Sequence, residues 1–233
     1  MPTLTLSEAL SSDLDEIAAF IEREKSSYII AHSLPEQRSA IDQGMYFKIK
    51  AEDGEIAGVG SVIVGVAVTR KADGTLETYH ELANTLIAKN WRGFGLQYEL
   101  ILVRTATTVT VSPPPNLLSA INPKNSGSLH NVVTKAGFKP CVDFLPELKW
   151  GCGECPQRPD ALSKGRECCC DCFVLQLDQC RVLIREFLDR GQRTIRHRRE
   201  GGQTVALEFD CAVTKNERRR RILHNFVNGA EWM

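Results

Sequence analysis

Apolar residues that alternate with polar ones, or that run together over a short stretch, predict strands in several parts of the chain. The predicted strands are Leu4–Leu6, Met45–Lys50, Ile56–Val68, Thr75–Ala88, Val109–Val111, Lys139–Leu145, Phe173–Leu177 and Thr204–Val213. Asp53-Gly54 and Asp73-Gly74 separate three of these strands, and such dipeptides are typical of hairpin turns. The segment from Met45 to Ala88 is therefore predicted to form a three-stranded meander.

Apolar residues recur at helical spacing between and after these strands. The predicted helices are Leu14–Glu24, 96–106, Asn125–Lys135, Gln179–Arg198 and Lys215–Val227. Residues 25–44 are predicted to be irregular or helical. This order of elements favours a mixed, mostly antiparallel α/β sheet with helices on its faces.

Composition and charge narrow the choice of function. The 233 residues carry 29 basic and 29 acidic side chains, so the chain as a whole gives no sign of a polyanion-binding protein. The longest apolar run, Ile56–Val68, is too short to span a bilayer. The first residues lack the basic start and the leucine-rich run of a secretory signal. We therefore expect a cytoplasmic protein without a membrane partner, whose nine cysteines are kept reduced.

The stretch His80–Tyr98 combines a strand, the turn Lys89–Trp91, a glycine corner and the start of a helix. Gly93 and Gly95 precede the helix and leave several backbone N–H groups unshielded, and Arg92 adds a positive charge beside them. Such N–H groups, together with the helix dipole, attract phosphate. Many glycine pairs at such corners only turn the chain, so the corner by itself leaves both interpretations open.

A second stretch, Ile121–Phe138 (INPKNSGSLHNVVTKAGF), follows about 30 residues later. Together, RGFGLQ at 92–97 and the N-x-x-S and K-A-G-F sequences of this stretch resemble the two signature motifs of the GNAT superfamily of acyl-CoA N-acyltransferases. The resemblance covers roughly residues 3–178. It implies a GNAT-like fold, acetyl-CoA as the co-substrate, and transfer of an acyl group to a primary amine of unknown identity.

The resemblance also implies a binding site for the co-substrate. In the superfamily the first motif cradles the pyrophosphate of coenzyme A, and the strand before it bonds the pantetheine arm and polarises the thioester carbonyl. The implied cofactor-binding residues are Thr85, Leu86, Ile87, Arg92, Gly93, Phe94, Gly95, Leu96, Gln97, Tyr98 and Asn125.

Glu81 is the candidate catalytic base, because it is the acidic side chain between Thr78 and Ala88 on that strand. A solvated carboxylate at a strand end is the competing interpretation. Three features depart from the superfamily pattern. Gln97 stands where Gly or Ala is preferred, no tyrosine between Asn125 and Phe138 is present to protonate the leaving thiolate, and that interval is one residue longer than usual.

The segment Trp150–Cys172 holds six of the nine cysteines. Two C-x2-C pairs, separated by 13 residues, have the ligand pattern of a four-thiolate structural zinc site. The predicted ligands are Cys152, Cys155, Cys169 and Cys172. An iron–sulfur cluster, redox-active thiols or a loop that is merely rich in cysteine are the alternatives.

The predicted organisation is a GNAT-like acyltransferase domain over residues 1–178, interrupted at 151–172 by the cysteine-rich metal loop, and a C-terminal α/β extension over 179–233. The extension carries 12 basic and 7 acidic residues, including the run Arg218–Arg221. These arginines favour either a solvated helix face or a contact with nucleic acid or an acidic partner. The alternative function is accordingly a metal-containing nucleic-acid- or protein-binding module on a degenerate, catalytically weak acyltransferase scaffold.

Overall fold

The computed structural model describes residues 1–25, 33–70, 73–74, 76–111, 116–141, 158–165 and 170–229. Within these ranges the strands are β1 Thr3–Glu8, β2 Tyr46–Ala51, β3 Ile56–Arg70, β4 Leu76–Ile87, β5 Leu117–Ile121, β6 Lys139–Pro140, β7 Asp171–Leu175, β8 Ile195–Arg198 and β9 Thr204–Asp210. The helices are α1 Leu14–Glu24, α2 Leu34–Asp42, α3 Leu96–Val111, α4 Ser126–Leu129, α5 Arg158–Ser163, α6 Leu177–Arg190, α7 Ala212–Lys215 and α8 Glu217–Val227. A π-helical turn, His130–Lys135, continues α4.

The strands form one sheet in the order β6-β7-β5-β4-β3-β2-β1-β9-β8. The β1–β9 and β4–β5 pairs are parallel, and the other neighbours are antiparallel. Helices α3, α6 and α8 pack on one face of the sheet, and α1 and α2 pack on the other. The predicted mixed, mostly antiparallel sheet between helices is therefore confirmed.

The C-terminal segment continues the same sheet. β9 pairs with β1, and Leu207 and Phe187 belong to the same apolar core as Leu4 and Leu100. This core joins both ends of the chain. In the part of the chain that the structure describes, no helix is long and apolar enough to cross a membrane.

In the middle of the chain one predicted strand is wrong and one strand was not predicted. Val109–Val111 is the last turn of α3 and not a strand, and the strand after α3 is Leu117–Ile121, which the hydrophobic pattern did not reveal. Most residues from Leu96 to Val109 are buried on every side of the helix, because α3 lies between the sheet and the helices α6 and α8. The resulting continuous apolar run hides the helical period.

The prediction of one helix over Gln179–Arg198 is also wrong at its C-terminal end. α6 stops at Arg190, where Gly191 caps it, and Ile195–Arg198 forms the edge strand β8. β8 pairs with β9 through a turn that contains Gly201 and Gly202, both at positive φ. In this hairpin β8 bonds to the backbone N–H and C=O groups of β9, which a longer helix in place of β8 would have left without partners at this edge of the sheet.

Candidate active site

The strands β4 and β5 separate part-way along their length. They pair at His80 with Leu117 and at Glu81 with Leu118, and no further pairs join them in the described ranges. Beyond these pairs the Ser119 hydroxyl donates to the Leu82 carbonyl at 3.5 Å. β4 then continues to Ile87 without its parallel neighbour. The two strands thus open into a cleft whose wall is the backbone of β4.

A β-bulge changes the direction of β4 inside this cleft. Val59 of β3 pairs with Leu86 and Ser61 pairs with Ala83, so β4 has one extra residue between the two pairs. Asn84, in this interval, has a φ of 50°, and it is the one non-glycine residue with positive φ among those described. Asparagine tolerates this conformation better than most residues.

The backbone of β4 presents hydrogen-bonding groups to the cleft after the bulge. The Ala88 N–H donates to the Ala57 carbonyl on the β3 side at 2.9 Å. Groups of neighbouring strand residues point to alternate sides, so the backbone groups of Ile87 and Thr85 face the cleft. Arg92 Nε already donates to the Ile87 carbonyl at 3.1 Å.

The glycine corner follows directly at the end of β4. Gly93 and Gly95 have φ values of 84° and 79°, a region that side chains disfavour. The buried Phe94 between them anchors the corner in the core, and α3 begins at Leu96. The N–H groups of residues 93–97 make no hydrogen bond within the described part of the chain. The corner therefore holds a row of available donors at the positive end of a 16-residue helix.

Residues of the C-terminal hairpin cover one side of this corner. Arg199 Nη1 donates to the Asn90 carbonyl at 3.1 Å, and the guanidinium lies 5.0 Å from the centre of the Phe94 ring. A Cβ on Gly95 would lie 3.7 Å from His197 Nδ1. Neither Arg199 nor His197 was among the predicted site residues, because 179–198 was predicted to be a helix and no strand was predicted to bring Arg199 to the corner. The half-buried side chains of Ile195 and His197, at alternate positions shortly before the Gly-Gly turn, could have predicted a strand and a hairpin here.

A buried charged cluster lies below the corner. Glu99 is 1% exposed, and its Oε1 lies 2.7 Å from Arg190 Nη1 and 3.4 Å from His197 Nε2. Neither Glu99 Oε2 nor His197 Nε2 has a hydrogen-bond partner among the described atoms. Burial raises the pKa of Glu99 to about 7, although the Arg190 guanidinium opposes the rise. Burial and the same guanidinium lower the pKa of His197 to about 4.

Glu81, the predicted base, lies where the cleft begins. It is 6% exposed and occupies the last residue pair before β4 and β5 separate. Paired residues of neighbouring strands direct their side chains to the same face of a sheet. Glu81 therefore shares a face with Leu118, whereas His80 shares the α3 face with Leu117. His80 Nδ1 accepts a hydrogen bond from the Gly65 N–H at 3.0 Å.

The second motif lies beside the start of α3, where Gln97 bonds to it. Asn125 caps α4, since its Oδ1 accepts a hydrogen bond from the Ser128 N–H at 3.2 Å. In the π-helical turn that follows, the Ala136 N–H donates to the Asn131 carbonyl, a bond that spans five residues instead of four. This wider turn lies in the interval from Asn125 to Phe138, for which the resemblance predicted one residue more than usual.

Gln97 connects the two motifs. Its Nε2 donates to Ser128 Oγ at 3.0 Å, and its Oε1 accepts from Asn131 Nδ2 at 2.9 Å. The long side chain at this position thus ties the start of α3 to the α4 segment and leaves the corner backbone accessible. Tyr98, the next residue, instead directs its hydroxyl to Glu186 at 2.7 Å.

Three of the four predicted zinc ligands, Cys152, Cys155 and Cys169, lie outside the described residues. Cys172 is described: it is buried on β7, and its carbonyl accepts a hydrogen bond from the Cys141 N–H at 2.8 Å. Among the residues with described positions, no group of three or more His, Cys, Asp or Glu side chains is arranged to hold a metal ion. Cys141, which no sequence pattern had connected with this segment, is thus the cross-strand neighbour of Cys172.

The arginines at 218–221 lie on the first turns of α8. Arg218 and Arg221 are exposed, and Arg219 and Arg220 are half-buried. The helix packs on the core through Leu223 and Phe226, which are on its other side.

No protein-family model and no curated protein matches this chain. Among solved structures it is similar to a GCN5-related N-acetyltransferase from Kribbella flavida, with 14% identity and a TM-score of 0.47 over 60% of this chain and 33% of that one. It is also similar to N-acetylglutamate synthase from Neisseria gonorrhoeae complexed with coenzyme A and N-acetyl-glutamate, with 20% identity and a TM-score of 0.45 over 73% and 34% of the two chains. A third is Arabidopsis thaliana Naa50 in complex with a bisubstrate analogue, with 12% identity and a TM-score of 0.46 over 74% and 96%.

The chain spans about a third of the length of the first two structures. Other neighbours are acetyltransferases of the GNAT family from Bacillus cereus and Streptococcus pneumoniae.

Proposed function

We propose that this protein transfers an acyl group, most simply acetyl, from coenzyme A to a primary amine. One observation carries the proposal: the strand β4 leaves its parallel neighbour, bulges at Asn84, and ends in a glycine corner whose N–H groups make no hydrogen bond to any described residue. These features follow one another in the order in which an acyl-CoA molecule presents its thioester, its pantetheine arm and its pyrophosphate.

In this proposal the pyrophosphate binds at the corner. The N–H groups of residues 93–97 donate to its oxygens, and the α3 dipole stabilises its negative charge. Arg92 contributes its remaining guanidinium N–H groups, since only its Nε donates to the Ile87 carbonyl. Through its bonds to Ser128 and Asn131, Gln97 holds α4, with Asn125 as its N-cap, at a fixed distance from the corner.

The pantetheine arm then lies along β4, where Thr85 and Ile87 offer backbone groups and Leu86 fixes the strand in the core on the α1 side. The acyl carbonyl reaches the bulge, where a backbone N–H stabilises the negative charge that develops on its oxygen. The amine attacks the carbonyl carbon, the C–S bond breaks, and the acyl group ends on the nitrogen.

Glu81 serves as the base in this scheme. Its carboxylate accepts the proton that the attacking amine loses, directly or through a water molecule. The segment from Asn125 to Phe138 has no tyrosine, so water supplies the proton for the leaving thiolate.

The cysteine-rich loop is proposed to hold a structural zinc ion through Cys152, Cys155, Cys169 and Cys172. The chemistry of this donor set supports the assignment, because four thiolates in two C-x2-C pairs close a tetrahedral site without an open position. The ion would order a loop that has too few apolar residues to form its own core.

Thermal unfolding with and without acetyl-CoA tests the central proposal. At about 100 times the dissociation constant, a specific site adds roughly 2.7 kcal/mol to the free energy of unfolding. Gly95→Asp should abolish the upward shift in Tm, because it places a carboxylate among the phosphate-binding donors. Gly74→Asp is the matched control: Gly74 has a similar φ of 84° but lies in the β3–β4 hairpin at the far end of β4. The proposal fails if acetyl-CoA gives no shift, or if both variants lose it equally.

A further inference from the structure

A single arginine is completely buried beneath the β4 bulge. Arg104, on α3, is 1% exposed and is the largest of the fully buried side chains described. Its Nε donates to the Leu100 carbonyl at 2.8 Å, and its Nη1 donates to the Ser61 and Ala83 carbonyls, each at 3.0 Å. All of these acceptors are backbone carbonyls, and no carboxylate pairs with the guanidinium in the described part of the chain.

A buried cation without a counter-ion is costly for folding. Burial lowers the pKa of Arg104 to about 9, so the group still carries its charge at neutral pH. The guanidinium fits because residue 60 is a glycine: a Cβ on Gly60 would lie only 3.1 Å from Arg104 Cζ. Packing alone would be achieved more cheaply by an apolar residue of the same length, such as methionine.

The two hydrogen bonds of Arg104 Nη1 place the positive charge at the backbone of the β4 bulge. Ser61 and Ala83 are the residue pair that closes the bulge on β3 and β4. The Ala83 carbonyl points toward β3 and the guanidinium. In a planar trans peptide the C=O and N–H groups point in opposite directions. The N–H of Asn84, which shares this peptide, is therefore directed away from β3 and into the cleft between β4 and β5.

Hydrogen bonds in a chain polarise one another. A guanidinium that binds the carbonyl end of a peptide makes the N–H end of the same peptide a stronger donor. We propose that Arg104 is a positioning residue of the acyl site, which fixes the Ala83–Asn84 peptide and strengthens its N–H as a donor to the thioester carbonyl. This inference rests on the proposed acyl-CoA function. It identifies the group that polarises the thioester carbonyl as the Asn84 N–H, and it identifies the positive charge that strengthens this donor as the Arg104 guanidinium on α3.

The test measures the thioester carbonyl itself and needs no acceptor. The probe is acetyl-CoA labelled with ¹³C at the acetyl carbonyl, and isotope-edited infrared difference spectra record its C=O stretch when it is bound. A stronger hydrogen bond lowers this frequency. We expect a lower frequency in the wild-type complex than in Arg104→Met, with Arg104→Lys between them because it keeps the charge but not the fork geometry.

Calorimetric affinities accompany the spectra. Arg104→Met should lower the acetyl-CoA affinity by no more than about tenfold, because about one hydrogen bond is weakened while the glycine corner is unchanged. Lys48→Met is the matched control, since it removes another buried cation, one on β2 that pairs with Asp13 and lies across from Val59, whose side chain packs on the α1 side of the sheet. Its bound carbonyl frequency should equal that of the wild type.

Gly60→Ala keeps the arginine but forces the guanidinium to move, and it should raise the frequency in the same direction as Arg104→Met. It serves in place of Arg104→Met if that variant does not fold. A bound, folded variant with the wild-type frequency overturns the role of Arg104 and leaves the proposed function standing. Absence of acetyl-CoA binding by the wild-type protein overturns the proposed function and this inference together.

Discussion

The buried pair Glu99 and His197 should give opposite contributions to the pH dependence of stability. The pKa of Glu99 is about 7 in the folded protein and 4.5 in the unfolded chain, so the folded state holds the proton more tightly. The free energy of unfolding therefore falls as the pH rises from about 4.5 to about 7. The pKa of His197 falls from 6.5 to about 4 on folding, so the folded state holds this proton less tightly. The contribution of His197 to the free energy of unfolding therefore rises as the pH rises from about 4 to about 6.5.

The two contributions are of similar size. Each pKa changes by about 2.5 on folding, and at about 1.4 kcal/mol per pKa unit this corresponds to about 3 kcal/mol. Both side chains are nearly buried, at 1% and 11% exposure, so solvent screens them little. In the wild-type protein the pair should therefore contribute almost nothing to the pH dependence between about pH 4.5 and 6.5.

Single substitutions should expose each contribution. Relative to the wild type, Glu99→Gln should gain about 3 kcal/mol in free energy of unfolding as the pH rises from 4.5 to 7. His197→Gln should lose about the same amount, relative to the wild type, between pH 4 and 6.5. Between about pH 4.5 and 6.5 the double variant should return to the wild-type dependence, since it removes both opposing contributions.

Urea unfolding at a series of pH values, followed by far-UV circular dichroism, measures these differences. The quantity to compare is the variant minus the wild type at each pH, because all other titrating groups then cancel. Curves for Glu99→Gln and wild type that run parallel from pH 4.5 to 7 would refute the buried-pair argument. So would a double variant whose pH dependence between about pH 4.5 and 6.5 differs from that of the wild type.

The remaining predictions concern the base and the metal. Glu81→Gln should lower turnover by about 10²–10⁴-fold while leaving acyl-CoA affinity nearly unchanged, because only proton transfer is lost; equal turnover, measured by release of the coenzyme A thiol, would remove Glu81 from the mechanism. Protein made without a metal-affinity tag should contain about one zinc ion per chain, and Cys152→Ser should lower that content; less than about half an equivalent in the unmodified protein would argue against the site.

Part of the fold was visible in local sequence patterns. The turns at Gly54 and Gly74 were predicted from Asp-Gly pairs, and both glycines have positive φ in the structure. The corner at Gly93 and Gly95 was predicted from two glycines that directly precede a helical pattern, and both also have positive φ. Turn chemistry depends on the few residues that make the turn, so the chain needs no distant partner to specify it.

Other elements were misassigned because their conformation depends on distant neighbours. The residues Val109–Val111 have β propensity but are helical, since α3 is enclosed by the sheet and by α6 and α8. Residues 195–198 are a strand because β9 lies beside them. Each choice was made by packing against residues that are far away in sequence.

The features of the candidate site also fall into these two groups, those set by local sequence and those set by packing against distant residues. By itself, the sequence determined the glycine corner, because the corner is a matter of residue type and local interval. The two motifs and the longer interval before Phe138 were predicted only from the resemblance to the superfamily. Only the tertiary structure decided that β4 bulges at Asn84, that residues 130–135 form a π-turn, and that Arg199 and His197 return to the corner from about 100 residues away. It also placed the charge of Arg104 beneath the bulge. These features depend on the register between strands and on the packing of a helix over them, and no local interval of the sequence encodes either.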